Sequence, residues 1–193
     1  MNKLSTGYIV LIVIGAILLL SIFWVVLSYN SLVTLDESVN EKWANVQTAY
    51  QRRADLIPNL VATVKQYSDY EGSVLTEITN ARAAVGAATT PSELQAAGNQ
   101  MDSALARLLV VVENYPNLKA NENYLSLQDE LAGTENRIKT ERDIFNNAVK
   151  SFNIKVRRFP TSIIAGMFGF EIKDMFESAA GAETAPDVGG LFE

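Results

Sequence analysis

The sequence has no cysteine and no histidine, which leaves carboxylates, guanidiniums, amines and hydroxyls as the side chains available for chemistry. Thiolate nucleophiles, His–Cys zinc sites and Ser–His or Cys–His relays are thereby excluded. The charged group that stands out by position is Arg52, Arg53 and Asp55 in one segment with Glu135, Arg137 and Arg142 in a later one, since these charges fall partly on apolar helical seams. A guanidinium facing a carboxylate across a partly dry seam makes charge-assisted hydrogen bonds that fix register more than they add stability. Arg52 or Arg53 holding Glu135, with Arg142 in the same group, is therefore the expected register-setting ion pair. A ligand or partner site on the same charges is the competing reading.

Acidic residues are numerous, yet no D-x-D-x-D-G loop and no E-x-x-H pair gathers them, so neither a metal nor another cofactor is expected. Carboxylates doing acid–base work need a concave pocket, which a thin bundle of long helices seldom offers, and an enzyme is not expected either. The net charge of −6 argues against nucleic-acid binding, which depends on a basic surface. One basic cluster does stand out. Lys155, Arg157 and Arg158 precede an apolar stretch from Ile163 to Phe170 that includes Phe168. This segment either rests on lipid headgroups or caps the end of the fold. Leu109, Val110 and Val111, beside Leu108 and Val112, make their helix apolar nearly all round and point to lateral self-association. Tyr50, Tyr67, Tyr115, Phe145 and Phe152 are expected to pack in the core.

The elements that must position these groups begin with an anchor. Tyr8 to Leu27 carries no charge, and about 20 residues at helical rise match a hydrocarbon core. The run is longer than a signal-peptide core and no small-x-small cleavage site follows, so it reads as a retained transmembrane helix over residues 8–28, after a short segment 1–7. Trp24 and Tyr29 stand where aromatic rings favour the headgroup layer. Lys3 lies before the span, whereas Asp36, Glu37 and Glu41 outnumber Lys42 after it, which places the N-terminus inside and the domain outside the cell membrane.

Residues 29–177 read as an all-α domain. Leu32, Leu35, Val39, Trp43, Val46, Tyr50, Ile57, Leu60, Val64 and Tyr67 recur at helical spacing with one gap at Arg53, so the anchor is expected to run into this helix. Pro58 should kink the helix or end it. Tyr70 to Ser73 separates it from a second helix with Val74, Ile78, Ala81 and Val85 on one face. Thr90-Pro91-Ser92-Glu93 forms a capping box for a third, with Leu94, Met101, Leu105, Leu108, Val112 and Tyr115 inward. The fourth repeats Gln128, Leu131, Glu135, Ile138, Arg142, Phe145, Val149, Phe152, Val156 and Phe159 at coiled-coil spacing as far as Pro160. Short connections favour a long antiparallel four-helix bundle of up-down-up-down topology, returning residues 155–170 to the membrane end. Residues 178–193 read as a flexible tail.

The order of several long runs resembles the LemA family of membrane-anchored proteins. They are YNSLV after the anchor, EKWANVQTAYQRRADLIPNLVATVKQY, LLVVVENYPNLKANENYLSLQDELAGTENRI, ERDIFNNAV, and FNIKVRRFP followed by GF and FE. The resemblance covers residues 28 to 177 and implies a transmembrane helix with an antiparallel helical bundle; it does not deliver a reaction. It also implies the opposite orientation, with the domain in the cytoplasm, and, through a magnetosome membrane relative, a role in membrane organisation. The expected function is a self-associating structural protein that partners the bilayer and its own copies. The alternative is an accessory or sensory module recruiting a membrane protease or signalling enzyme.

Overall fold

A computed structural model describes residues 6–66 and 72–177. Among these the chain is helical, with no strand. In order the helices are α1 (Thr6–Lys65), α2 (Gly72–Ala87), α3 (Pro91–Val112), α4 (Pro116–Lys119), α5 (Glu122–Arg157) and α6 (Thr161–Phe168). The four expected helices correspond to α1, α2, α3 and α5. The short α4 and α6 are additions. Pro116 supplies the first residue of α4, where a missing N–H costs nothing. Gly169 ends α6 in a left-handed conformation (φ 76°), with the Phe170 N–H donating to Ala165 O at 2.9 Å.

The anchor and the first amphipathic segment form a single helix. Its apolar opening is long and apolar enough to cross a membrane and fits a membrane-anchored protein. From Leu32 onward the inward series is buried or half-buried, and the gap at Arg53 is filled by Arg53 itself, which is buried. Pro58 lies inside α1 and does not end it. The expected break at Tyr70 and Glu71, the Tyr67 position and the 178–193 tail fall outside the described residues, whereas Gly72 and Ser73, expected in that break, already belong to α2.

The chain divides into two compact units, Met1–Val46 with Asp143–Lys173, and Gln47–Arg142 with Asp174–Glu193. In the first, Leu32, Val39 and Val46 of α1, Phe145, Val149, Phe152 and Val156 of α5, and Ile164 and Ala165 of α6 are buried. The Trp43 and Phe145 rings lie 5.5 Å apart. In the second, α2 packs against α3, burying Val74, Ile78, Ala81 and Val85 together with Leu94, Met101, Leu105, Leu108 and Val112. Tyr50 is buried there, and Tyr115 is half-buried.

The capping box forms at the start of α3. The Thr89 N–H (2.8 Å), Thr89 hydroxyl (3.0 Å) and Thr90 N–H (3.2 Å) all donate to Glu93 Oε2, and the Glu93 N–H donates to Thr90 Oγ1 at 3.3 Å. These donors hold the Glu93 carboxyl below its ordinary pKa, the Thr89 backbone N–H most of all.

The seam of α5 departs from the expected series. Gln128 and Glu135 are exposed, Arg142 is half-buried, and Thr134 and Glu141 are buried instead. Thr134 with Glu141 and Glu135 with Arg142 both satisfy the alternating three- and four-residue steps between Leu131, Ile138 and Phe145, so spacing does not separate the two pairs. Thr134 Oγ1 donates to Leu131 O at 2.8 Å, and Glu141 accepts from Arg137 Nε at 3.0 Å, so both are satisfied where they sit. Phe159, also placed inward by spacing, is 78% exposed, because α5 ends at Arg157.

Candidate functional site

In the second unit a charged cluster is built on three helices. Arg53 of α1 has a side chain only 10% exposed; its Nη1 donates to Glu135 Oε2 of α5 at 2.5 Å and its Nη2 to Asp102 Oδ1 of α3 at 2.6 Å. One guanidinium thus holds a carboxylate on each of two other helices. Its Nε is buried without a hydrogen-bond partner. Both carboxylates are about half exposed, at 50% and 52%, so the cation is the dry member and the anions keep part of their hydration.

The other residues of the expected group are placed differently. Arg52 pairs with Glu130 at 3.1 Å, both largely exposed, so it does not share Glu135. Arg142 donates from Nη2 to Gln95 Oε1 and to the Glu177 carbonyl, each at 3.0 Å, and its guanidinium lies 4.8 Å over the Phe176 ring. It pins the segment after α6 rather than a carboxylate. Arg142 also hydrogen-bonds Tyr50, whose hydroxyl is pushed above its ordinary pKa by burial, an effect the Arg142 charge partly offsets. Against the Tyr50 ring lies Gly98, where a Cβ would come within 2.7 Å of Cε1.

In the first unit three of the residues expected at the membrane, Tyr29, Phe168 and Phe170, come together. The Tyr29 ring lies 4.8 Å from that of Phe168 and 5.9 Å from that of Phe170, and Phe170 meets Phe152 edge-on at 6.4 Å. Trp24 is exposed. Lys155 is half-buried, and Arg157 and Arg158 are exposed. Phe168 remains half exposed, beside exposed Ile163, Met167 and Ile172.

Below this cluster Lys173 is clamped. Its Nζ lies 2.6 Å from Asp36 Oδ1 and 3.2 Å from Asn40 Oδ1 on α1, and 5.4 Å from the centre of the Phe152 ring. Its backbone N–H donates to Asn153 Oδ1, and its carbonyl accepts from Asn153 Nδ2, both at 2.8 Å. A shallow depression of about 460 Å³ opens here between Asp36, Phe152 and residues 168–173.

Sequence reasoning missed Asp102, Lys173, Asp36, Asn153 and Phe176. Asp102 carried no periodic signal, since it is an exposed position of α3. The others meet through the irregular segment after α6, for which no helical period exists. Leu109 and Val110 are exposed on α3, whereas the Val111 side chain lies outside what the structure describes. Among the described residues no group of three or more acidic side chains converges to hold a metal ion.

The model of the LemA family matches residues 42–189. Magnetosome protein MamQ 2 of Paramagnetospirillum magneticum is 26% identical over 191 residues, covering 86% of this chain and 70% of the relative. Magnetosome protein MamQ of Magnetospirillum gryphiswaldense is 24% identical over 182 residues, covering 81% and 67%. Protein LemA of Metamycoplasma hominis is 28% identical over 140 residues, covering 70% and 63%.

Proposed function

This chain belongs to the LemA family, and we propose that it is a non-enzymatic, membrane-anchored structural protein that associates with copies of itself to organise or shape the bilayer. One observation carries the reading. α1 continues without a break from the membrane-crossing segment into the core-forming segment, so what the folded part assembles with is mechanically joined to the bilayer. Leu109 and Val110, exposed on α3, supply apolar surface for a second copy. The names of the magnetosome relatives agree with a role at an organelle. The residues available support binding and packing rather than bond-making. The reading includes the antiparallel up-down arrangement of α1, α2, α3 and α5, with the lipid bilayer and further copies as partners and no nucleic acid.

Electron microscopy of the full-length protein extracted from membranes tests this, with regular rings or sheets as the expected result. A monomer in native-membrane crosslinking, unchanged by Leu109→Glu with Val110→Glu, refutes the self-association. Protease cleavage of the domain in intact cells supports the orientation with the N-terminus inside, and cleavage only in inverted vesicles supports the reverse.

A second reading, recruitment of a partner protein such as a membrane protease or signalling enzyme, is favoured by a polar groove of about 610 Å³. Ser92, Gln95, Ala96 and Asn99 line one side, and Asp174, Met175 and Glu177 the other. A stoichiometric foreign partner in a pull-down, lost on Gln95→Ala with Asn99→Ala, would favour it.

A further inference from the structure

The anchor does not account for α6. This helix carries no charge, and Ile164 and Ala165 already give it a buried face. Opposite them, Ile163 and Met167 stand one turn apart, 54% and 72% exposed, with exposed Phe159 before the helix and Ile172 after it. Arg157 and Arg158 immediately precede this patch, and among the described residues neither has an acidic partner within ion-pair distance. The patch is tied in place: the Phe168 ring rests on Tyr29, two residues beyond Leu27, where the exposed apolar stretch of α1 ends. A free apolar surface flanked by cations, held at the level where a membrane-crossing helix leaves its apolar segment, has one complementary surface within reach.

We propose that α6 is a second, non-spanning membrane contact, lying in the interfacial layer of the bilayer that α1 crosses, with Ile163 and Met167 among the upper acyl chains and Arg157 and Arg158 on anionic lipid phosphates. This rests on the reading of α1 as the anchor. Eight residues alone would bind a vesicle weakly, since interfacial affinity scales with buried apolar area and charge. The anchor removes that obstacle: with α1 in the bilayer the second contact becomes intramolecular, at high effective concentration. The same surface could serve a second copy of the chain, which the test separates.

The chain has no cysteine, so a single one can be introduced without background. Full-length Met167→Cys, Ile163→Cys and, as reference within the span, Leu18→Cys are labelled with bimane and reconstituted into vesicles of phosphatidylglycerol and phosphatidylcholine. The lipids are brominated at shallow or deep acyl positions. Deep bromines are expected to quench the label at 18, and shallow bromines the labels at 163 and 167. Replacing Arg157 and Arg158 by Gln, or omitting phosphatidylglycerol, should reduce the lipid-contacting fraction at 163 and 167, by about fivefold in the bound-to-free ratio per charge.

Quenching at 18 without quenching at 163 and 167 overturns the proposal and leaves the anchor standing. Absence of quenching at 18 overturns the anchor and the proposal with it. Labels at 163 and 167 shielded from aqueous iodide but untouched by bromolipid mean that protein covers the face, which also overturns it. Quenching indifferent to both charge changes overturns the phosphate contact.

Discussion

Arg53 sets up a comparison in which removing a cation should do less harm than removing its two anions. Arg53→Met keeps the stem volume, removes the buried charge and its unpartnered Nε, and leaves Asp102 and Glu135 half exposed, where water can replace the lost bonds. Replacing a buried ion by an apolar residue of similar size is often close to neutral, so the expected loss is below about 1.5 kcal/mol. The double variant Asp102→Ala with Glu135→Ala leaves the guanidinium in a nearly dry seam with no counter-charge. Stranding a buried charge costs about 3–5 kcal/mol. At about 2–4 °C per kcal/mol for a chain of this size, the double variant should melt about 6–20 °C below the parent. Each single carboxylate variant should lie between, because the other anion still holds Arg53. Near-ultraviolet circular dichroism of the full-length protein in detergent is the suitable assay, since it follows Tyr50 and Trp43 packing rather than the helicity of the span. A melting point for Arg53→Met as low as that of the double variant would refute the reasoning, and would mean that the cation, rather than its satisfaction, stabilises the fold.

Gly98→Ala should cost about 1–3 kcal/mol by overpacking, because the new Cβ lands 2.7 Å from the buried Tyr50 ring, and Tyr50→Leu in the same chain should recover part of the loss. Gly133→Ala in α5, whose Cβ meets nothing within 4 Å, should instead stabilise by about 0.5–1 kcal/mol in urea titration. Tyr50, raised by burial, should ionise above the ordinary tyrosine pKa in an absorbance titration, and its contribution to stability, complete below that pKa, is lost as pH rises through the raised value. For Glu93 the sign is opposite: with a lowered folded pKa, the cap's contribution is complete above the ordinary glutamate value and disappears as pH falls through the lowered one, a dependence that Glu93→Gln should abolish.

Much of this structure was legible because helices announce themselves by period. Leu32 through Val64 placed the buried side of α1, and Thr90 with Glu93 marked the start of α3 through chemistry confined to four residues. The illegible parts share a cause: they depend on partners far away in sequence or on polar residues in apolar company. Thr134 and Glu141 occupy the α5 seam, yet the three-and-four spacing through Leu131, Ile138 and Phe145 fits Glu135 and Arg142 equally well. α6 has no side-chain cap at its start, and its apolar sequence shows no alternation that would separate a helix from a plain hydrophobic run. Arg53 could be matched to Glu135 from the seams, but its second carboxylate, Asp102, sits on an exposed residue of α3 that no periodic rule selects. Arg142 was grouped with the carboxylates because it is charged, whereas its position near Phe176 gives it a carbonyl and a ring to hold instead.

The double hydrogen bond between the Asn153 amide and the backbone of Lys173 makes a ring out of part of the chain, since a side chain imitates the edge of a neighbouring strand and shuts the loop that contains α6. A ring has no free end from which to fray. α6 is therefore carried like the tread of a stirrup: a force on it is delivered to both attachment points, and through the Lys173 ammonium to Asp36 on α1.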